Sequence, residues 1–163
     1  MRAFVGIALV AAAVLLAGMP AAAEDTEALN RRASDEFTRE VTTCSAYFLI
    51  RMEFLRNGGR NNYILMTELM ADKMLQKAEQ LLTAEKAQEA IRAEGLRLLK
   101  EIRNDLRNMR ELNEKYGTTC HAVYTEPDAR LAYWVETIRT GAPAESFVSP
   151  GGEGRSGRRA DSP

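Results

Sequence analysis

The segment from Glu24 to Asn57 contains neither glycine nor proline, and apolar residues recur in it at intervals of three and four. This interval places residues on one side of an α-helix. The apolar positions are Ala33, Phe37, Val41, Cys44, Phe48, Met52 and Leu55. The segment is therefore predicted to form one long helix with a single apolar stripe, ended by Gly58-Gly59.

The following residues repeat this pattern twice. A second helix is predicted from Tyr63 to Leu82, after a cap at Asn61-Asn62, and a third from Thr83 to Tyr116. The hydroxyl of Thr83 suits the N-cap position because it can accept a hydrogen bond from a free backbone N–H of the first turn. These two helices continue the all-helical pattern of the first segment.

The last predicted helix is shorter. Gly117 is expected to cap the third helix at its C-terminus, and Cys120 to lie in the turn that follows. Pro127 fits the first turn of a helix over residues 128–140, because no hydrogen bond is required from its nitrogen there. The sequence thus predicts an all-α bundle of three long helices and a short C-terminal helix.

The N-terminus has the three parts of a secretory signal. Arg2 precedes an unbroken apolar run from Ala3 to Ala17, and Pro20 precedes the small residues Ala21-Ala22-Ala23. Cleavage after Ala23 is therefore predicted, with export to the periplasm or out of the cell and no stable membrane anchor afterwards. An uncleaved anchor is the alternative, because residues 3–23 are long and apolar enough to span a bilayer.

The C-terminal residues 141–163 differ in composition from the rest of the chain. They contain five glycines and three prolines and have almost no apolar side chains. Burial cannot offset the entropy cost of ordering such a segment. The chain is therefore predicted to divide into a signal peptide (1–23), a helical domain (24–140) and a disordered tail (141–163).

The chain has two cysteines, Cys44 and Cys120, both in the predicted mature part. In the oxidising environment of an exported protein, such a pair predicts a disulfide rather than a reactive thiol or a haem attachment. Cys44 lies 39 residues before Thr83 (83 − 44) and Cys120 lies 37 after it (120 − 83). A long hairpin bending at Leu82-Thr83 would therefore bring the cysteines to one height and clasp its two arms.

In the hairpin, Gly58-Gly59 interrupts the first arm without reversing it, and Gly95 faces the core. The alternative is an up-down-up bundle that bends at Gly95 instead. The hairpin is preferred because the residues around Gly95 offer no N-cap for a new helix.

Composition and motifs exclude several functions. A net charge of −1 and a single histidine argue against a nucleic-acid binder or a histidine-rich metal store. The sequence has no glycine-rich phosphate loop, zinc-ligand spacing or nucleophile elbow. Since the only histidine adjoins a cysteine expected to be oxidised, we predict neither an enzyme nor a cofactor.

Met66, Met70 and Met74 recur every four residues on the second predicted helix. Stacked thioethers are the soft ligands of a Cu(I) site, but methionine also fills helical cores and lines adaptable protein-binding grooves. Core packing is the favoured interpretation, followed by a groove for a protein partner and then by copper.

A basic strip is predicted along one face of the third helix. Its members recur at intervals of three and four: Lys100, Arg103, Arg107 and Arg110. Such a strip could meet an acidic partner, anionic lipid or peptidoglycan. Acidic residues flank it, several at helical pairing distance: Glu101, Asp105, Glu111 and Glu114. A solvated, ion-paired face is therefore favoured over a docking surface.

Two further constellations lie near the C-terminus. Thr118-Thr119-Cys120-His121 resembles the end of a c-type haem motif, with threonine in place of the first cysteine. Non-covalent haem held by His121 and one of the three methionines is a variant of this hypothesis. Aromatic residues and an arginine gather around the last helix and are expected to close one end of the bundle rather than to stack sugars: Tyr124, Arg130, Tyr133 and Trp134.

The positions of these cysteines and aromatics resemble a pattern in small exported helical proteins of proteobacteria and their phages. The pattern comprises Cys44-Ser-Ala-Tyr-Phe48, Tyr116-Gly-x-x-Cys120 and Pro127-x-x-Arg130-x-x-Tyr133-Trp134. The resemblance implies an exported all-α fold with the disulfide, and it does not point to a particular activity or site. Single-disulfide helical chaperones of the periplasm are similar in architecture only.

These observations predict a non-catalytic binding or accessory protein of the cell envelope. An envelope protein is the expected partner, and nucleic acid is not. The expected contact surface is either the methionine groove or the basic strip. A haem- or copper-carrying helical bundle is the alternative.

Overall fold

A computed structural model describes residues 20–143 of the chain, and 89% of this part is helical, with no β-strand. The helices are α1 (Pro20–Asn57), α2 (Asn61–Leu81), α3 (Ala84–Glu101), α4 (Met109–Thr125) and α5 (Pro127–Thr140), with a 3₁₀ turn at Leu106–Asn108. The predicted all-α class is confirmed, although the described part holds five α-helices rather than four. The predicted signal peptide and tail lie almost entirely outside the described residues.

Helix α1 is the central element of the bundle, and all four other helices pack against it. The predicted apolar stripe is present, but every residue from Glu40 to Phe48 is buried, on all sides of the helix. Small polar side chains make this burial tolerable because they bond to the backbone of their own helix. Thr42 donates to the carbonyl of Arg39 at 2.9 Å, and Ser45 donates to that of Val41 at 2.9 Å.

The chain reverses direction at Gly58-Gly59. Gly59 has a positive φ of 67°, and the N–H of Arg60 donates to the carbonyl of Leu55 at 3.1 Å, which closes the end of α1. Arg56 of α1 then lies 4.0 Å from Glu68 of α2. The prediction that this break does not reverse the first arm is therefore wrong.

The two predicted caps near α2 and α3 have different outcomes. Thr83 caps α3, since its hydroxyl accepts a hydrogen bond from the N–H of Lys86 at 3.4 Å. Asn61 is already the first residue of α2, and Arg60 occupies the N-cap position without a side-chain cap hydrogen bond. The cap predicted at Asn61-Asn62 is thus wrong, although the start of α2 lies within two residues of its predicted position.

The predicted third helix ends fifteen residues early (116 − 101), at Glu101 instead of Tyr116. Arg103 and Asn104 adopt the left-handed conformation, with φ of 57° and 55°. The N–H of Asn104 donates to the carbonyl of Leu99 at 2.7 Å, and Asp105 accepts a hydrogen bond from the N–H of Arg107 at 3.0 Å. This turn ends α3 and starts the approach to α4.

Neither predicted main bend describes the fold. Gly95 lies within α3, and a Cβ built there would meet no atom within 4 Å. It therefore neither bends the chain nor permits close packing in the core. The chain does break between α2 and α3 at Leu82-Thr83, but this is one of several breaks between helices rather than the single bend of a hairpin.

Gly117 and Cys120 lie inside α4 rather than in a cap and a turn. A Cβ on Gly117 would lie 3.3 Å from the hydroxyl oxygen of Tyr47, so glycine allows α4 to approach α1 closely here. Cys44 and Cys120 form the predicted disulfide, with Cα atoms 5.1 Å apart and both side chains fully buried. The disulfide therefore fastens α4 to the central helix.

Helix α5 begins at Pro127, as predicted, and Gly141 closes it in the left-handed conformation with φ of 64°. Arg130 of α5 forms a buried, two-point ion pair with Glu40 of α1, at 2.8 Å from Nε and 2.5 Å from Nη2. This pair and the disulfide anchor both C-terminal helices on one short segment of α1. Within residues 20–143, no helix is both long and apolar enough to cross a membrane.

Candidate functional site

The first turns of α2 expose a group of large apolar side chains. The described residues include six exposed large hydrophobic side chains, and four of them lie here: Tyr63, Leu65, Met66 and Leu69. Leu65 is the most exposed, at 77%. At 3.6 residues per turn, the four side chains fall within an arc of about 160°. These four residues are called the α2 apolar face below.

The methionine ladder runs from this face into the core. Met66 is exposed, Met70 is half-buried and Met74 is only 3% exposed. A step of four residues turns about 40° around a helix axis, so two steps carry the side chain from solvent to the interior. Core packing thus describes Met74, whereas Met66 remains accessible to a partner.

The predicted basic strip does not lie along one helix. Lys100 belongs to α3, Arg103 to the turn, Arg107 to the 3₁₀ segment and Arg110 to α4. Each of the three arginines has a carboxylate neighbour, as follows: Arg103–Glu111 at 3.6 Å, Arg107–Asp105 at 2.7 Å and Arg110–Glu114 at 3.5 Å. The hydrogen bonds from Arg107 lower the pKa of Asp105 to about 2. The structure therefore gives a set of ion pairs in place of a continuous cationic surface.

A polar cluster joins α3 to α4. Glu101 accepts hydrogen bonds from Lys115 at 2.5 Å and from the hydroxyl of Tyr116 at 2.9 Å, and it pairs with Arg97 at 3.2 Å. Burial raises the pKa of Glu101, but these hydrogen bonds outweigh it, so the pKa lies below its ordinary value. Hydrogen bonding to Glu101 raises the pKa of Lys115. The charges of this cluster compensate one another, which suits a role in holding the helices together.

A groove of about 930 Å³ lies where α4 and α5 meet α1. It is called the α4 groove, and its lining residues are Tyr47, Arg51, Asn113, Gly117, Thr118, His121, Ala122, Thr125, Glu126, Ala129 and Arg130. The lining is mainly small side chains, hydroxyls and amides with three charged residues. The sequence motifs include five of these residues, and none of them predicts this groove: Tyr47, Gly117, Thr118, His121 and Arg130.

Arg51 is a half-buried cation of the α4 groove. Its Nη1 donates to the hydroxyl of Tyr47 at 3.2 Å, and this hydroxyl donates to Oδ1 of Asn113 at 2.7 Å. Burial raises the pKa of Tyr47, and the nearby guanidinium opposes this rise. Among the described residues, no carboxylate lies within 4.0 Å of the Arg51 guanidinium. Arg51 therefore carries a positive charge without an ion-pair partner in this part of the chain.

His121 connects the α4 groove to the α2 apolar face. It is exposed and also lines a smaller depression of about 160 Å³, whose other lining residues include Tyr63, Met66 and Met70. The structure thus brings the histidine and two of the three methionines together. No group of three or more His, Cys, Asp or Glu residues within the described range could hold a metal ion.

The predicted aromatic end of the bundle contains a buried cation. Arg130 is 2% exposed and lies under the rings of Tyr133, at 4.2 Å, and Trp134, at 5.7 Å. Lys73 lies over the ring of Tyr124 at 5.2 Å. Because Arg130 is held by Glu40 in the interior, it is not placed to stack against an external sugar.

Comparison of the chain with protein-family models, curated proteins and solved structures gives no match. The resemblance to small exported helical proteins therefore stays a prediction.

Proposed function

We propose that this chain is a non-catalytic binding or accessory protein of the cell envelope, and that its protein partner docks on the α2 apolar face. The observation that carries the proposal is the cluster of exposed apolar side chains at the start of α2. Large apolar side chains grouped on one surface mark an interaction site more often than scattered ones do. Covering them stabilises a complex by about 25 cal/mol for each Å² of apolar area removed from water.

The surroundings of the face support the same proposal. Met66 supplies a flexible, polarisable side chain that adapts to differently shaped partners. The adjoining depression at His121 extends the surface beyond α2. The arginines of the basic strip are already ion-paired, which leaves the α2 apolar face as the better contact surface. Of the expected methionine groove, this face contains only Met66.

Site-specific photo-cross-linking in cells tests this proposal. A photoreactive residue at position 65 is expected to form a covalent adduct with one envelope protein. The matched control is position 96, because Leu96 is similarly exposed, at 66%, but lies on α3. Loss of the adduct in the variant Leu69→Ser would confirm that the apolar face makes the contact. Adducts at both positions, or at neither, would contradict the proposal.

Export and cleavage after Ala23 are part of the proposed function. They are supported by the charged, apolar and small-residue parts of the N-terminal sequence. Cell fractionation followed by non-reducing intact mass is expected to find Glu24–Pro163 in the periplasm or medium, lighter by two hydrogens for the disulfide. A full-length chain in the membrane fraction would instead favour the uncleaved anchor.

A haem- or copper-binding carrier is the second candidate. It is favoured by one observation, which is that His121, Met66 and Met70 line the same depression. Soft thioethers and an imidazole are suitable ligands for Cu(I) or for haem iron. Purification from cells with active haem maturation, followed by absorption spectra and metal analysis, separates the two candidates, because a bound haem or copper would favour the carrier.

A further inference from the structure

The α4 groove has the size and lining of a small-molecule site. Its volume of about 930 Å³ lies within the range of known ligand pockets. Gly117, Ala122 and Ala129 leave room for an apolar body, while Thr118 and Thr125 add hydroxyl groups to its wall. This groove is distinct from the α2 apolar face, which is an outward-facing surface.

Arg51 supplies the group that would orient a ligand. Its one hydrogen bond within the described residues runs from Nη1 to Tyr47. Nε and Nη2 form the edge of the guanidinium that donates two parallel hydrogen bonds to an oxyanion. The network Arg51–Tyr47–Asn113 fixes the opposite side of this guanidinium, so the free edge is held in place before a ligand arrives.

The position of Arg51 sets it apart from the other arginines of residues 20–143 that lack an ion pair. Arg32, Arg60 and Arg92 are exposed to solvent. Arg51 is half-buried in the wall of the groove, where its charge is less hydrated. A charge-assisted hydrogen bond at such a site contributes more than one at the surface.

The charges of the groove favour a ligand with one negative charge. The lining contains Arg51, Arg130 and Glu126, and the charge of Arg130 is matched by Glu40. The lining therefore holds one cation without an ion-pair partner, Arg51, and one exposed carboxylate, Glu126. A second negative charge on the ligand would find no further unmatched cation and would be repelled by Glu126.

We propose that the α4 groove binds a small monocarboxylate with an apolar body. The carboxylate pairs with Nε and Nη2 of Arg51, and the body lies against the glycine and alanines of α4 and α5. This inference goes beyond the proposed function, because it requires neither a protein partner nor the α2 apolar face.

The single histidine of the chain provides a direct readout of this groove. His121 lines it, so the Hε1–Cε1 signal in the NMR spectrum of the mature protein reports on the site without assignment of the other residues. Benzoate is the probe, and benzamide, which has the same body without the charge, is the control. Both titrations are carried out at constant pH and ionic strength. Benzoate is expected to shift the signal until it saturates, and benzamide is expected not to.

Variants then assign the effect to Arg51. In Arg51→Gln the affinity for benzoate is expected to fall by about tenfold or more, because a charge-assisted pair is lost. Arg51→Lys retains the charge but cannot donate two parallel hydrogen bonds, so its affinity for benzoate should lie between those of the unaltered protein and Arg51→Gln. This variant decides the matter if Arg51→Gln fails to fold by circular dichroism. Arg92→Gln is the matched control and should bind like the unaltered protein.

Four results would overturn the proposal. They are no saturable shift with benzoate, an equal response to benzamide, affinity unchanged in both Arg51 variants, and tighter binding of inorganic phosphate than of benzoate. The double variant Leu65→Ser/Leu69→Ser should still bind benzoate. Its loss of binding, with the fold intact, would also count against a site in the groove.

Discussion

The middle of α1 and the start of α2 are both helical, but their side chains meet opposite environments. From Glu40 to Phe48 every residue of α1 is buried, including Thr42, Thr43 and Ser45. In α2, Leu65 is 77% exposed. The difference arises from the number of neighbouring helices, because α1 has four around it and the start of α2 lies at the edge of the bundle. Position in the bundle therefore overrides the hydrophobicity of individual residues.

The comparison also separates structure from function. The buried segment of α1 carries the disulfide and the ion pair to α5, and its polar groups find partners within the chain. The start of α2 leaves apolar area exposed among the described residues, where a partner could cover it. We therefore expect substitutions in the first region to change stability, and substitutions in the second to change binding.

The largest expected effect is at the buried ion pair. Glu40→Gln leaves the guanidinium of Arg130 without its counter-charge in the interior, and the free energy of unfolding is expected to fall by about 3–5 kcal/mol. Glu136→Gln is the control, because its pair with Arg139 is exposed to solvent, so its loss should change the free energy of unfolding very little. Urea unfolding measures both values. Similar losses in the two variants would show that the middle of α1 is not buried as described.

The disulfide comes next. Replacing Cys44 and Cys120 by alanine together is expected to lower the free energy of unfolding by about 4 kcal/mol, because the closed loop then gains entropy in the unfolded chain. Thermal unfolding of this variant, beside the unaltered protein with and without reductant, measures the effect. A reductant that leaves the stability of the unaltered protein unchanged would contradict the prediction.

The methionine ladder tests the comparison within one helix. Met74→Ala removes a buried side chain and is expected to cost about 2–4 kcal/mol. Met66→Ala removes an exposed one and should change stability by no more than about 0.5 kcal/mol. Chemical unfolding of the two variants measures both losses of unfolding free energy and therefore their ratio. Equal costs would mean that the start of α2 is covered in solution.

The smallest effect concerns Glu101. Its pKa is lowered in the folded protein, so its contribution is present above the unfolded value of 4.5 and is lost as the pH falls through the folded pKa. The contribution is about 0.5 kcal/mol, since solvent screens the cluster. Glu101→Gln should therefore lower the free energy of unfolding at pH 7 and change it little at a pH below the folded pKa of Glu101. An equal loss at both pH values would contradict the lowered pKa of Glu101.

Local signals predicted much of the fold. Gly58-Gly59, Thr83 and Pro127 each act on the backbone of their own segment, and all three mark real helix ends. Glycine allows a positive φ, the threonine hydroxyl caps a free N–H, and proline fixes φ. The turn after Glu101 contains neither glycine nor proline, and a left-handed Arg103 has no local signal. Asn104 and Asp105 were the available hints, because asparagine tolerates this conformation and aspartate caps the next turn.

Long-range features of the site could not be predicted in the same way. Glu40 and Arg130 are 90 residues apart, and the helices that bring them together must first be placed. One signal was present, because the ten residues from Val41 to Ile50 carry no charge in a chain that is 28% charged. Arg51 follows this run, and its lack of an ion pair depends on what α4 and α5 place beside it.

Hydrogen–deuterium exchange of the mature protein tests the difference between the two regions most directly. Amide protection follows local stability, which is greatest in the packed interior. We expect the amides of residues 40–48 to exchange last, and those of the first turns of α2 to exchange much earlier, since this end has no side-chain cap and one face in water. Equal protection of the two segments would contradict the account, because it would mean that the start of α2 is already covered.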